Sequence, residues 1–227
     1  DALWHVEQVV TRELNASTDN PLVFPDTGSV IHGGNFYGQH VAMVSDYLRI
    51  VLIKAALLAE RQTERLLNRR YSLGLPPLLT GAEPGLNSGL AGCQLLATSL
   101  AAEARLLGSP ASIQTIPTNA NNQDVVSMGA IAARMTRTLM PLVWKILAVE
   151  ALALAQAADL RKRAGREVMG ADYARLHARI RAVSPMLESD RPLYEDVDRV
   201  SRLLQSDEAQ AEHLPPRPDN PLVVELK

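Results

Sequence analysis

The chain has 227 residues, of which 47% are hydrophobic and 21% charged, and its formal net charge is -2. This composition excludes an intrinsically disordered chain and provides enough apolar side chains for a sizeable core. Nucleic acid is not an expected partner, because 23 basic residues are balanced by 25 acidic residues and are spread along the chain. The one cysteine, Cys93, excludes an internal disulfide and is typical of a reducing compartment, so we expect a cytoplasmic protein.

The apolar runs predict no membrane span. The longest run, residues 146–158, contains Glu150 and Gln156 and is shorter than the roughly 20 residues that a membrane helix needs. The chain begins with Asp1 rather than methionine and continues at once into a helical pattern. We therefore expect it to be a piece of a longer protein.

Alanine and leucine dominate the sequence while aromatic residues make up only 4%, which predicts a mainly α-helical fold. Apolar residues at helical spacing predict a first helix over 2–15. A polar loop over 16–38 follows, and short strands are expected within it at 22–24 and 29–31. The next helix is predicted over 39–68, where no glycine or proline interrupts the apolar period. At about 1.5 Å per residue it would be on the order of 45 Å long, which suits the spine of a bundle.

Two loops rich in glycine, proline or polar residues separate the next predicted helices. The first loop, over 73–89, precedes a helix predicted over 90–107. The second, over 109–122, precedes the longest helical pattern, 123–163, in which Pro141 predicts a kink.

Two shorter amphipathic helices are predicted over 171–183 and 193–205. The residues after them are rich in proline and carry no helical period. The sequence therefore predicts an all-α, long-helix bundle over 1–205 and a proline-rich tail over 206–227.

Residues 32–40 form the first candidate site segment, because glycines lie on both sides of an Asn-Phe-Tyr core. Glycines give the backbone conformations that other residues rarely adopt, so the loop can place Phe36 against a ligand at the start of a helix. The alternative is an ordinary glycine-rich start of a helix, with Phe36 filling the core.

Residues 118–124 form the second candidate segment and set four neutral amides directly before the longest predicted helix. Amides donate and accept hydrogen bonds without carrying charge, and the positive partial charge of a helix N-terminus favours anions. The alternative is capping of the helix by Asn121 or Asn122. Capping needs only one of these residues, so the pattern favours a site.

Residues 84–89 are a third segment of the same character, a tight polar turn before a helix. Capping of that helix by Ser88 is at least as good an interpretation as contact with a ligand.

Conventional catalytic and metal-binding patterns are absent from the sequence. The five histidines lack metal-ligand spacing, and no metal is expected. Cys93 lies among leucine and alanine, where a cysteine is usually an inert small hydrophobe. No phosphate-binding or dinucleotide-binding loop is present.

Four ordered segments together resemble the aromatic amino acid ammonia-lyases, the family of histidine, phenylalanine and tyrosine ammonia-lyases and the related aminomutases. The similarity extends from the first residue to about residue 205, and 190–193, Asp-Arg-Pro-Leu, is similar to the ending of bacterial tyrosine ammonia-lyases. The four segments are Thr18-Asp-Asn-Pro-Leu22, Gly33-Gly-Asn-Phe-Tyr-Gly38, Gly85-Leu-Asn-Ser-Gly89 and Asn122-Gln-Asp-Val-Val-Ser127.

The resemblance implies that the chain is the C-terminal half of an all-α protein that forms homotetramers with active sites shared between subunits. It also implies a prosthetic group, 4-methylideneimidazole-5-one, which forms autocatalytically from an internal Ala-Ser-Gly. That tripeptide is absent from this sequence, as are the catalytic tyrosine and the carboxylate-binding Gln-Asp-x-Tyr-Ser-x-Arg segment of the family. The resemblance therefore implies a missing N-terminal segment, without which the chain does not catalyse.

The resemblance assigns roles to five residues. Phe36 and Gln123 match catalytic positions, with Phe36 packed beside the prosthetic group. Asn119 and Asn122 match polar positions near the prosthetic group and the substrate amine, and Phe36 and Asn122 match positions that hold the group. Ala91 matches a pocket position where the family usually has methionine or lysine, so the local pocket shape differs here.

The implied reaction is elimination of ammonia from L-tyrosine or L-phenylalanine to give coumarate or cinnamate. Histidine ammonia-lyases typically have glutamate at the position of Gln123, and a neutral amide suits an uncharged ring because a carboxylate would lose its hydration there. The alternatives are an aromatic amino acid 2,3-aminomutase and a histidine ammonia-lyase. An alternative of another class is a non-catalytic helical scaffold or oligomerisation subunit that retains only the bundle.

Overall fold

The structure, a computed structural model, describes residues 1–166 and 170–206. In the described residues six α-helices and one two-stranded hairpin follow each other along the chain. Their bounds are α1 Ala2–Leu14, β1 Leu22–Phe24, β2 Ser29–Ile31, α2 Gln39–Leu67, α3 Ala91–Leu106, α4 Gly129–Arg163, α5 Ala171–Val183 and α6 Tyr194–Gln205, with a short 3-10 helix at Pro77–Leu79.

The two longest helices, α2 and α4, run side by side in the same direction. Near their first residues, a methyl group placed on Gly129 would lie 3.8 Å from Cβ of Ala42. Two turns further along α4, Thr136 Oγ1 donates a hydrogen bond of 2.9 Å to the carbonyl oxygen of Ser45, which also lies further along α2 than Ala42. The loops that precede α2 and α4 therefore lie at the same end of the bundle.

Helix α3 runs antiparallel to α2. Thr98, in the middle of α3, donates a hydrogen bond of 2.9 Å to Glu60 near the end of α2. Gly108, just after α3, lies against Ile53 in the middle of α2. The start of α3 is therefore at the end of the bundle opposite to the start of α2.

Two apolar clusters form the core. One joins α2, α3 and α4 through small and branched side chains, so the helices approach closely. The other extends around the second half of α4 and takes in α6, the 3-10 helix and the loop after α5. The buried members of the first cluster are Ile53, Ala56, Ala59, Ala101, Ala104, Leu139, Val143 and Ile146.

The predicted all-α bundle and both short strands are confirmed, and β1 pairs with β2 in antiparallel register from Leu22 opposite Ile31 to Phe24 opposite Ser29. Helix α4 continues through Pro141, and the kink expected there stays a prediction. The proline-rich tail predicted over 206–227 lies, beyond residue 206, outside the described residues.

The predicted start of the longest helix was wrong. The helix begins at Gly129 rather than Gln123, because Asn119, Ala120 and Asn121 adopt positive φ angles and turn the chain back on itself. Met128, with φ of 57°, then re-aims the backbone into the helix. A pattern of apolar residues does not detect such backbone reversals.

By length and composition, α4 is apolar enough to cross a membrane. Half of its most apolar 18-residue window is buried inside the fold, and a core helix has the same composition.

Candidate active site

Two of the three candidate segments lie at the same end of the bundle, because they precede the parallel helices α2 and α4. We call residues 32–38 the glycine loop and residues 118–124 the amide loop. The segment 109–117 connects α3 to the amide loop and passes close to α2, where Gln39 Nε2 donates to the carbonyl oxygen of Ser112 at 3.4 Å.

The glycine loop is tied back to the segment before β1. The amide nitrogen of Gly33 donates to Asn20 Oδ1 at 3.0 Å, and the Asn35 side chain donates to the carbonyl oxygen of Ser17. Gly38 ends the loop with φ of 66°, a left-handed conformation that costs glycine little. With these contacts in place Phe36 is 59% exposed, so the interpretation of Phe36 as a core residue is wrong for this chain.

The amide loop is a tight hairpin closed between its two ends. The amide nitrogen of Thr118 donates to the carbonyl oxygen of Gln123 at 2.9 Å, and that of Gln123 donates back at 3.3 Å. The Thr118 hydroxyl also donates to Gln123 Oε1 at 2.8 Å. Among the described residues, the side-chain amides of Asn119 and Asn122 have no hydrogen-bond partner, and both residues are exposed. The loop therefore presents unused amide groups to whatever lies beside it.

The expectation that these amides adjoin a helix N-terminus was wrong, and so was the alternative that Asn121 or Asn122 caps α4. The helix begins six residues after Gln123, and its first residue is preceded by Met128 without a side-chain cap. The chain between the amide loop and α4 is bonded to the connecting segment instead: the amide nitrogen of Val126 donates to Thr115 Oγ1 at 2.8 Å. The amide side chains of the loop are therefore set apart from the N-terminus of α4.

A buried ion pair fixes the connecting segment against α2 and α4. Arg49 is fully buried, and its guanidinium donates to Asp46 at 2.5 Å, to the carbonyl oxygen of Ser109 at 2.8 Å and to that of Ala132 at 3.1 Å. The other Asp46 oxygen accepts from the amide nitrogen of Ser112 at 2.8 Å. One pair of side chains thus joins three elements below the amide loop.

Burial by itself would raise the pKa of the Asp46 carboxyl. Hydrogen bonds from Ser112 and Ala111 and the charge of Arg49 outweigh burial and hold that pKa below its ordinary value of 3.8. Asp46 therefore remains ionised over the neutral range and keeps its bond to Ser112.

Ala91 lies far from the other four predicted site residues within one chain. It starts α3 at the opposite end of the bundle, beyond the contact between Thr98 and Glu60. Glu60 comes 21 residues after Gln39 on α2, a distance of about 32 Å along a helix. The structure therefore places Phe36, Asn119, Asn122 and Gln123 at one end, and Ala91 at the other.

The third candidate segment, residues 84–89, is held by Asp190. Its carboxylate accepts from the amide nitrogens of Ser88 at 2.7 Å and Gly89 at 2.9 Å, and its own amide donates to Asn87 Oδ1 at 3.0 Å. Ser88 does not cap α3 through its side chain, so that interpretation was wrong. The Asn87 side chain and the backbone amides of Ser88 and Gly89 are therefore used inside the chain.

Sequence reasoning missed Thr118, Asp190 and the pair of Asp46 and Arg49. The pair had a detectable signal, because two opposite charges three residues apart interrupt an otherwise apolar helix. Thr118 and Asp190 had no such signal. The contact of Thr118 depends on a backbone reversal, and that of Asp190 on a residue about 100 positions away.

No group of three or more histidine, cysteine or acidic side chains suited to a metal ion occurs within residues 1–166 and 170–206. Cys93 is buried, and burial raises the pKa of its thiol to about 11, as expected of a cysteine that packs as a small hydrophobe.

Comparisons with known proteins agree on one family. The family model for aromatic amino acid lyases matches residues 1–182. A tyrosine ammonia-lyase from Cereibacter sphaeroides is 52% identical over 196 residues, which are 86% of this chain and 37% of the relative. A histidine ammonia-lyase from Caldanaerobacter subterraneus is 44% identical over 208 residues, 91% of this chain and 40% of the relative.

A solved structure gives the same result for the fold. The crystal structure of a tyrosine aminomutase from Streptomyces globisporus has a TM-score of 0.84 and 44% identity, and the match covers 90% of this chain and 38% of that one. The chain spans about two fifths of the length of the relatives it matches. Over this span both the sequence and the helical bundle are those of one family, and the chain belongs to the aromatic amino acid lyases.

Proposed function

We propose that this chain is part of an aromatic amino acid ammonia-lyase that eliminates ammonia from L-tyrosine or L-phenylalanine to give coumarate or cinnamate. The observation that carries the proposal is the placement of an exposed Phe36 ring and the unpartnered Asn119 and Asn122 amides at one end of the bundle. Exposed aromatic rings and unused amides have no value to a bundle core, but they suit contact with a small polar and aromatic molecule.

These side chains fit the prosthetic group that the family uses. Phe36 would cover one face of its small ring, and Asn122 or Asn119 would donate a hydrogen bond to its carbonyl oxygen. When bound, the group supplies an electrophile that helps ammonia to leave. The sequence contains no Ala-Ser-Gly from which the group forms, so in this proposal it comes from a segment outside the 227 residues.

Gln123 has a different task from the asparagines in this proposal. It lies beside the substrate ring. A carboxylate at this position would lose its hydration there, whereas the neutral amide carries no charge to desolvate. The Thr118 hydroxyl holds the amide of Gln123 in place at 2.8 Å. This arrangement favours tyrosine or phenylalanine over histidine.

A pocket that includes Ala91 together with Gln123 requires more than one chain, because the two residues lie at opposite ends of the bundle. We therefore propose a homotetramer whose active sites combine residues of different subunits. Apolar side chains left exposed along α2 support an assembly with neighbouring subunits: Met43, Tyr47, Ile50 and Leu58.

A 2,3-aminomutase is the second candidate, favoured by the tyrosine aminomutase structure that the chain matches at 44% identity. The residues described above serve both reactions, since the two differ in whether ammonia leaves or returns to the β-carbon. A non-catalytic scaffold is disfavoured by the amide loop, because capping or packing needs no row of unpartnered amides.

The test uses the complete protein, including the segment that carries Ala-Ser-Gly. Formation of arylacrylate from tyrosine, phenylalanine and histidine is followed by ultraviolet absorbance, and β-amino acids are sought by chromatography. We expect Gln123→Ala to lower kcat/KM for the aromatic substrate at least about tenfold without a change in melting temperature. Gln8→Ala, which removes an exposed amide on α1, is the matched control.

Arylacrylate from tyrosine or phenylalanine supports the lyase, and a β-amino acid as main product supports the aminomutase instead. No reaction with any of the three substrates would contradict the enzymatic proposal and favour the scaffold.

A further inference from the structure

Both oxygens of the Asp190 carboxylate are used at the turn that leads into α3. They accept from the amide nitrogens of Ser88 at 2.7 Å and Gly89 at 2.9 Å. The amide nitrogen of Ala91 in turn donates to the carbonyl oxygen of Ser88 at 3.1 Å. The donors are backbone N–H groups and the acceptors are a carboxylate and a carbonyl, so each bond has only one possible direction. Asp190 therefore sets the backbone of the turn directly before Ala91.

The segment that carries Asp190 is itself fixed on both sides. Before it, the buried Gln156 on α4 accepts from the amide nitrogen of Leu187 at 3.0 Å and donates to the carbonyl oxygen of the same residue at 2.9 Å. After it, Arg191 donates to both oxygens of the buried Asp196 on α6, at 2.6 and 3.0 Å. Because satisfied polar networks of this kind are rigid, Asp190 holds the turn in a fixed position relative to α4 and α6.

The first residues of α3 lie open on their outer side. Gly92 is exposed, and a methyl group placed on it would have no described atom within 4 Å. Leu95, one turn further along, is 73% exposed. The N-cap residue Leu90 forms no side-chain cap within the described residues, so the carboxylate of Asp190 takes the place beside the helix N-terminus that favours a negative charge. Asp190 therefore fixes a surface that the described residues leave uncovered.

We propose that Asp190 is a positioning residue: it fixes the start of α3, and with it Ala91, as the surface that this chain contributes to the active site of a neighbouring subunit. The inference rests on the proposed function, in which Ala91 and Gln123 of different chains share a pocket, and adds the side chain that holds Ala91 in place. Asp190 acts through the backbone of the turn and touches no reacting atom. A displacement of about 1 Å in a pocket surface is enough to weaken catalysis strongly.

Two variants of Asp190 and one control separate its contacts. Asp190→Ala removes both acceptors of the turn, and Asp190→Asn keeps one acceptor oxygen. Glu188→Ala is the matched control, because it removes a carboxylate two residues away whose partner is the exposed Arg163 rather than the turn.

The kinetic constants for the aromatic substrate are measured with the complete protein, well below the melting temperature of each variant. We expect Asp190→Ala to raise KM at least about fivefold, Asp190→Asn to raise it less, and Glu188→Ala to leave it unchanged. A role in stability alone lowers the fraction of folded enzyme, which lowers kcat at an unchanged KM. An unchanged KM in Asp190→Ala would therefore overturn the inference.

Mixed oligomers test whether the surface held by Asp190 serves a neighbouring subunit. Asp190→Ala and Gln123→Ala chains are co-expressed with different tags, and the hybrids are isolated. If each site joins the Gln123 end of one chain to the Ala91 end of another, about one site in four combines two unaltered ends after random assembly. We expect kcat/KM of the hybrids to exceed the mean of the two parent variants by about twofold or more.

Hybrids of Ala91→Phe and Gln123→Ala are the reference for this comparison. If they exceed the mean of their parents while the hybrids made with Asp190→Ala do not, the inference is overturned and the proposed function stands. Failure of the wild type to convert tyrosine, phenylalanine or histidine would overturn the proposed function and this inference with it.

Discussion

The two ends of the helical bundle use the same residue types for opposite purposes. At one end, residues 84–89 form a glycine- and amide-containing turn in which the Asn87 side chain and the backbone amides of Ser88 and Gly89 bond within the chain, chiefly to Asp190. At the other end, the amide loop leaves Asn119 and Asn122 without partners and the glycine loop leaves Phe36 exposed. Both patterns look alike in the sequence. The location of the hydrogen-bond partners separates a structural joint from a candidate site.

The comparison predicts that side chains bonded within the chain affect stability, and that the unpartnered side chains of the candidate site do not. The largest effect is expected for Arg49→Leu, which leaves the buried Asp46 carboxylate and two carbonyl oxygens without their partner. Breaking a buried pair costs about 3–5 kcal/mol, so we expect a loss of that size in the free energy of unfolding, measured in urea. Arg134→Leu removes an exposed arginine of α4 and should change stability by less than about 0.5 kcal/mol. A similar small change in both variants would contradict a stabilising role for the Asp46–Arg49 pair.

A smaller loss of stability is expected from adding one methyl group to the turn at residues 84–89, at the opposite end of the bundle. A methyl group on Gly89 would lie 2.4 Å from the carbonyl oxygen of Leu78 and 2.9 Å from the amide nitrogen of Thr80, and the φ of Gly89 is 55°. We expect Gly89→Ala to destabilise the protein by roughly 1–3 kcal/mol, because backbone atoms must move. Gly92→Ala, where nothing lies within 4 Å and the residue is helical, should be neutral or stabilising by up to about 1 kcal/mol. Thermal unfolding of both variants measures the difference, and equal shifts would refute the tight contact.

The dependence of stability on pH sharpens the assignment of Asp46. Its pKa is lower in the folded protein than in the unfolded chain, so the unfolded chain binds more protons in acid. The stability that Asp46 contributes is present above its unfolded pKa, near 3.8, and is lost as pH falls through the lower, folded pKa. We expect Asp46→Asn to be less stable than the wild type at pH 7 and to lose less stability on acidification. Asp124→Asn, which removes an exposed carboxylate, is the control, and a wild-type acid profile in Asp46→Asn would argue against the assignment.

The smallest effect on stability is expected in the glycine loop. Phe36 is 59% exposed, so Phe36→Ala should lower the free energy of unfolding by less than about 1 kcal/mol. In the complete protein, the same change should lower kcat/KM at least about tenfold, because the ring packs beside the reacting groups in the proposed site. Phe24→Ala, at a 44% exposed phenylalanine of β1, should leave activity unchanged. Equal activity in both variants would remove Phe36 from the site.

The helices were predictable from sequence because they rest on a regular period. Uninterrupted apolar spacing set the start of α2 at Gln39, and the turn residues around 25–28 set both strands. The start of α4 was missed by six residues because positive φ angles at Asn119 to Asn121 leave no trace in apolar periodicity. The separation of Ala91 from Gln123 was also beyond prediction, since it depends on the direction in which α3 packs against α2.

Hydrogen exchange of backbone amides in the complete protein, with and without saturating cinnamate, tests most directly whether the glycine and amide loops form the substrate site. We expect cinnamate to slow exchange in residues 33–37 and 119–121, while residues 88–91, whose amides already donate to Asp190, Leu78 and Ser88, change little. Unchanged exchange in both loops under saturating cinnamate would contradict the assignment of the site to this end of the bundle.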